Sequence, residues 1–271
     1  MRRGIRVAAG GVALSLGILV EPVAAACPAD SVQSGTVCMD KYEASVWDLA
    51  PVPSGRTKAK LVSMIQSGTA TLASLQSAGA VQRGLADGDL DANGCSVTGN
   101  GCVQVYAVSI PGVTPSAFIN WFQAAAAARN SLKRLPTNQE WQVAALGTPD
   151  TGTDDGSTTC TMADTVSPAV TATGSRSSCV SDVGAFDMVG NLEEFVADWG
   201  DVSDGCTAWS PTFGGDLSCF GGPPGAGGTR NLPAALIRGG GRFGSQAGVF
   251  AVVAQGDPSA SAAFIGFRCA R

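Results

Sequence analysis

The 271-residue sequence contains no histidine. Every mechanism that needs an imidazole is thereby excluded: the Ser-His-Asp and Cys-His nucleophiles, a histidine general base, and histidine-ligated zinc, iron or copper centres. Charge is sparse as well, 17 basic against 22 acidic residues for a net of -5 at pH 7. Without a basic footprint, nucleic acid is not an expected partner. Beyond residue 26 no apolar run approaches the roughly 20 residues of a membrane span, so no transmembrane segment is expected in the mature chain. What is abundant is glycine and proline, 36 and 14 residues, which points to a loop-rich single domain around one core.

Residues 1–26 have the layout of an export signal: Arg2, Arg3 and Arg6, then the apolar Val7 to Val20, then Ala24-Ala25-Ala26, a small-residue cleavage site. The mature chain would begin at Cys27 and be secreted, periplasmic or held at the cell surface, with a lipid anchor on Cys27 as the competing reading. Ala24 stands where lipoprotein signals usually carry leucine. In an oxidising compartment the default use of cysteine is the disulfide. Nine cysteines leave one over, and spacing alone does not fix the connectivity. The arrangement favoured here pairs sequence neighbours, Cys27 with Cys38, Cys95 with Cys102, Cys160 with Cys179 and Cys206 with Cys219, and leaves Cys269 as a buried small hydrophobe.

Two helices are predicted with a mechanism. Thr114-Pro115 reads as an N-cap followed by proline at the first helical position, with Phe118, Trp121, Phe122 and Ala125 on one face and an end near Arg129. Thr137-Asn138-Gln139-Glu140 reads as a capping box ahead of a buried stripe of Trp141, Ala144 and Ala145. Short strands are predicted at Val103 to Ile110, Leu236 to Arg238, Gly248 to Val253 and Ile265 to Cys269. Residues 44–102 read as an insertion, within which Arg56 to Leu85 has partly helical spacing interrupted by Gly68 and Gly79. The stretches Thr148 to Ser178 and Gly214 to Gly228 read as surface loops pinned by their cysteines.

Five segments, in order, resemble the sulfatase-modifying-factor family, whose active members are formylglycine-generating enzymes: Cys38 to Glu43 (CMDKYE), Lys133 to Trp141 (KRLPTNQEW), Phe186 to Phe195 (FDMVGNLEEF), Arg238-Gly239-Gly240 and Gly266 to Arg271 (GFRCAR). The resemblance implies an α+β, disulfide-stabilised variant of the C-type lectin fold over residues 27–271. Each segment also has an architectural reading: Tyr42 pointing inward from a strand, and Arg238 and Arg268 on a strand pair with guanidiniums bonded to backbone carbonyls. By the same resemblance, Val189, Gly190, Asn191, Leu192 and Glu194 form a Ca2+ loop of carbonyls and a carboxylate. Glu193 stands where the family usually has tryptophan. A second calcium-like opening, Asp89-Leu90-Asp91-Ala92-Asn93-Gly94, lacks a glutamate at its twelfth position, Asn100, and reads as a solvated acidic turn.

The family's oxidases bind Cu(I) through two cysteines a few residues after the Gly-Gly segment, soft thiolates for a soft metal. Aligned on Arg238-Gly239-Gly240, those positions hold Gly244 and Val249, and Gly241 replaces the usual serine. No copper is expected, nor the histidine-dependent iron chemistry of the family's sulfoxide synthases. The C-terminal segment 238–271 resembles, more loosely, the variable region of diversity-generating-retroelement proteins on the same fold. That resemblance makes Arg242, Phe243, Ser245, Gln246, Gln255, Ser259, Ser261 and Phe264 ligand contacts, with Ala251 and Val252 as core. The reading is an exported recognition module for a surface protein or glycan; the alternatives are an oxidoreductase with an unrecognised site and a structural envelope protein.

Overall fold

A computed structural model describes residues 26–163, 166, 169–203, 205–219, 233–242 and 246–271. All of the export signal except Ala26, and Phe243, Gly244 and Ser245 of the C-terminal segment, lie outside the described residues. The architecture is α+β, with short elements joined by long loops and crossed by four disulfides. No helix among the described residues is long and apolar enough to cross a membrane.

The described chain opens with a hairpin, β1 (Ser31–Ser34) and β2 (Val37–Asp40), paired Ser31 to Asp40, and Cys27–Cys38 ties the segment before it to β2. Strand β3 (Ser45–Asp48) is buried along its whole length between β4 (Val81–Arg83) and β5 (Val105–Val108), antiparallel to both. The start of the segment read as an insertion is therefore the centre of a sheet. Between β3 and β4 run α1 (Arg56–Gln66) and α2 (Leu72–Ser77). Gly68 and Gly79 do not interrupt helices but end them: each has positive φ, 71° and 84°. The N–H groups of Gly68 and Thr69 bond to Ile65 and Met64, and those of Gly79 and Ala80 to Gln76 and Leu75, a pattern that satisfies the last carbonyls of each helix. Leu61, Ile65 and Leu75 pack with Trp47, Leu49 and Ile110 in a core of their own.

Helix α3 spans Trp121–Asn130, capped by Asn120 with Gln123 in a reciprocal box. The Thr114-Pro115 start expected from the sequence does not form. The N–H groups of Ser116, Ala117 and Phe118 bond instead to the carbonyls of Ala44, Gly84 and Ala262, so lateral pairing keeps this stretch out of the helix that local propensity favoured. The buried face is correspondingly rotated onto Gln123, Ala124 and Ala126 to Ala128, with Trp121, Phe122 and Ala125 half-exposed. Helix α4 (Asn138–Ala145) forms as read, with Thr137 and Glu140 in a capping box and Trp141, Ala144 and Ala145 buried.

The main sheet has the order β11-β6-β9-β10-β8-β7, where β6 is Glu193–Gly200, β7 Thr207–Ala208, β8 Leu217–Cys219, β9 Ala234–Arg238, β10 Val252–Val253 and β11 Ile265–Phe267. Arg238-Gly-Gly and Gly266-Phe-Arg are thus not a strand pair. Strand β6 lies between them, antiparallel to β9 and parallel to β11, with Glu194 opposite both Arg238 and Gly266. Phe195, Ile237, Ile265 and Phe267 fill the core under this sheet against Ala124 and Ala127 of α3. The last residues close the fold: Arg271 and Cys38 exchange backbone hydrogen bonds at 2.9 and 3.0 Å, and Ala270 and Arg134 do the same at 2.8 and 3.0 Å.

The disulfides follow the neighbour pairing, and Cys269 is free and buried. Cys160–Cys179 closes a loop of sequence separation 19 whose described residues form no helix or named strand. Its removal in C160A/C179A is expected to cost about 3 kcal/mol through the freed entropy of the unfolded chain, measured as a lower urea midpoint. An unchanged midpoint would mean that the loop is held by its hydrogen bonds alone.

Candidate functional site

The segment Phe186 to Phe195 forms the floor of the site, and its side chains face two ways. On the inner face, the Glu194 carboxylate takes the Arg268 guanidinium, with Nε at 2.9 and 2.7 Å and Nη2 at 2.6 Å, and the Trp141 indole N–H at 2.6 Å. Arg268 donates further to the carbonyls of Phe186 at 2.9 Å and of Asp187 and Asp40 at 3.3 Å. Burial opposes the guanidinium charge, but Glu194, with Glu43 and Asp187 beyond it, holds Arg268 above its ordinary range. Glu43 is fully buried and accepts from the Leu192 N–H at 2.9 Å and Asn191 Nδ2 at 2.5 Å. Burial, reinforced by Asp187 and Glu194, pushes Glu43 well above the carboxylate range. Asp187, in the left-handed region at φ 58°, is pushed by burial up to about 6. Tyr42 lies past the end of β2, half-exposed and stacked on Phe186, while Met39, Asp40 and Glu43 of that motif are buried.

This arrangement tests the calcium loop. Both oxygens of Glu194 are occupied by Arg268 and Trp141, and the Asn191 side chain is occupied by Thr171 through Oδ1 and by Glu43 through Nδ2. The backbone N–H groups of Gly190 and Asn191 bond to Gly239 and Thr161, and Val189 and Leu192 are buried. A hard cation needs several converging free oxygens, and the Glu194 carboxylate does not fit that role. Among the described residues, no group of three or more acidic or cysteine side chains is arranged to hold a metal. The Asp89 turn is also self-satisfied, its carboxylate accepting from the N–H groups of Gly84 and Leu85.

On the outer face the C-terminal segment returns over β9. Gly240 has φ 67°, and a Cβ there would run into Ala247, so the absence of a side chain lets residues 246–250 lie close against β9. Gln246 is exposed beside β8, where its carbonyl accepts from the Leu217 N–H. Ser259 and Ser261 are exposed on the loop whose Pro258 and Ala262 carbonyls accept from the N–H groups of Trp121 and Phe118. Gln255, Phe264 and Arg242 are half-buried, and Gln255 Nε2 rests on the Cys206 sulfur at 3.2 Å. Ala251 and Val252 are core, and so is Ala254, which the sequence pattern did not separate from the variable positions.

Two features escaped the sequence reading. Trp209, Phe213 and Phe250 form an aromatic cluster with ring centroids 5.2 to 5.8 Å apart, and Trp209 and Phe213 are large exposed hydrophobics. Beneath it Asp216 accepts from the Phe250 N–H at 2.7 Å, and burial followed by the neighbouring Asp150 pushes its carboxyl up to about 7. The Cys206–Cys219 pairing was the one signal that this loop would be held in place. The second feature is Glu193, first residue of β6, whose carboxyl enters a pocket of about 120 Å³ lined by Leu217, Gly240, Gly241, Gln246 and Val253. Burial pushes it up to about 7.

Copper chemistry needs a thiol pair. Val249 stands at one of the two aligned positions, and its carbonyl accepts from Arg238 and Gln142. Eight cysteines are in disulfides, and the Cys269 thiol, sealed in the core, is pushed well above its ordinary range by burial. The described donor set does not fit Cu(I).

The sequence profile of the sulfatase-modifying factor enzyme 1-like domain matches residues 57–271. No curated protein matches the chain. Among solved structures, the Major Tropism Determinant I1 variant is similar over 58% of this chain and 39% of its own, with 24% identity and a TM-score of 0.40. Treponema denticola variable protein 1 is similar over 58% of this chain and 70% of its own, with 24% identity and a TM-score of 0.33. CarF is similar over 59% and 68%, with 19% identity and a TM-score of 0.37. The chain thus matches well under half the length of Major Tropism Determinant.

Proposed function

The chain belongs to the sulfatase-modifying factor enzyme 1-like family, and from that premise we propose that it is an exported ligand-recognition module and not a cysteine oxidase. The observation that carries this reading is the thiol inventory. No cysteine lies between Cys219 and Cys269, so the segment that carries the copper pair in the oxidases has none, while Cys269 is buried and unreactive by position. Four disulfides support an oxidising, extracytoplasmic location.

A rigid frame with loops on its surface suits recognition. Trp209 and Phe213 supply aromatic area at low entropic cost, and Gln246, Ser259 and Ser261 supply adaptable polar contacts. The ligand belongs to the surface proteins or glycans.

Two measurements test the reading. An array of glycans and surface proteins is expected to yield a saturable ligand whose affinity falls by about ten-fold or more in W209A/F213A, the loss of roughly 1.4 kcal/mol or more typical of an aromatic anchor. Aerobic incubation with Cu(I) and a sulfatase-type cysteine peptide is expected to give no aldehyde. Aldehyde formation would overturn the reading in favour of an oxidoreductase, and an array without any saturable ligand would favour a structural envelope role.

A further inference from the structure

We propose that the pocket entered by Glu193 receives a single cationic group of the ligand, an alkylammonium or a guanidinium at the end of a lysine- or arginine-like chain. The proposal rests on the recognition reading and names the chemistry of one part of the recognised partner.

Glu193 is half-buried, and what surrounds it sets it apart from the chain's buried carboxylates. Glu194 has Arg268, Asp30 and Asp40 have Lys133, and Asp48 has Arg83. Glu43 and Asp187 have backbone or amide N–H donors. Among the described residues, no hydrogen bond or ion pair reaches the Glu193 carboxyl, while its backbone N–H bonds to the carbonyl of Phe264 at 2.8 Å. Strand alternation explains this placement. Glu194 points to the polar knot, so Glu193 points with Phe195 to the opposite, apolar face. Its pocket is walled by Leu217, Val253 and the backbone of Gly240 and Gly241, none of which offers a charge.

A half-buried carboxyl that lines a pocket without a protein partner gains a charge-assisted hydrogen bond when a cationic group of a ligand reaches it. The lining decides what can supply it. A cavity of about 120 Å³ has room for the end of a cationic side chain, and its walls offer apolar side chains and backbone to the alkyl stem. The net charge of -5 also favours the approach of a cation over that of an anion. Tryptophan, which the related oxidases usually carry here, would fill this space.

The test titrates the disulfide-intact chain with agmatine, which carries both a guanidinium and an ammonium, and with the neutral N-butylurea, following backbone amide resonances. Agmatine is expected to shift Gly240, Gly241 and Gln246 saturably and N-butylurea to leave them in place. In Glu193→Gln the agmatine affinity is expected to fall by about ten-fold or more. Glu193→Trp, which closes the pocket, is expected to do the same if the glutamine variant does not fold. Equal shifts from the two probes, or undiminished agmatine binding in the folded variant, would overturn the proposal. The two readings fail separately. An array ligand indifferent to Glu193→Gln removes the pocket and leaves recognition standing, whereas agmatine binding without any array ligand keeps the pocket and removes the wider reading.

Discussion

Replacing Arg268 by methionine is expected to destabilise the protein by about 3–5 kcal/mol, the range for breaking a buried ion pair from one side. Methionine nearly matches the volume of the arginine stem, so the loss measures polar groups left without partners. Glu194 would retain the Trp141 indole alone, and the carbonyls of Phe186, Asp187 and Asp40 would lose a common donor. The measurement is urea unfolding of R268M, E194L and the double variant. Because the two side chains form one unit, the double variant is expected to lose clearly less than the sum of the single losses. A loss below about 1 kcal/mol in R268M would show that water reaches the pair and replaces the missing donors.

Lys133→Met is expected to have a loss of similar size at pH 7, again about 3–5 kcal/mol, and a distinctive pH dependence. The fully buried Nζ sits 2.7 Å from both Asp30 and Asp40, and the second oxygen of Asp40 has no partner. In the intact protein burial pushes Asp40 up to about 6 against the pull of Lys133. A carboxyl raised on folding contributes its full stability below its ordinary range near 4 and loses it as pH rises through about 6. Without the ammonium, Asp40 rises further, so the folded state pays more at every pH above that range. Asp30, held below its ordinary value by Lys133 and Arg271 although burial alone would raise it, loses one of the two cations that stabilise it above pH 4. The variant should therefore be only modestly weaker than the parent at pH 5 and much weaker at pH 8. Urea midpoints displaced equally at the two pH values would contradict this account.

The parts of the fold that were legible in the sequence are those whose partners are local. The Thr137–Glu140 box and the short disulfide loops join residues within 20 positions, whereas Gly68 and Gly79, read as interruptions, turned out to be helix ends. Glu43 was quoted within a motif but given no role, because its donors, Asn191 and Leu192, lie 148 and 149 residues away. Period-two alternation at Glu193-Glu194 was present, yet which carboxylate met the arginine depended on β6 lying between β9 and β11, an order that no local pattern encodes. Thr114-Pro115 misled for the same reason, since sound helix-start chemistry was overridden by carbonyls from Ala44, Gly84 and Ala262.

The backbone bonds that join Arg271 to Cys38 and Ala270 to Arg134 also bear on the order of assembly. The β1–β2 hairpin must wait for residues 269–271 before its outer edge is satisfied, and β6 waits in the same way for β11. Structures closed by such distant pairings fold slowly, because the entropy of closing the chain is lost before the contacts compensate for it. The Cys27–Cys38 and Cys95–Cys102 bridges need no such delay, so an oxidising environment can fix these corners early while the centre remains open. Until closure, the unpaired edge of β2 is exposed to other chains, which makes the interval before docking of residues 265–271 the period of greatest exposure to aggregation and proteolysis.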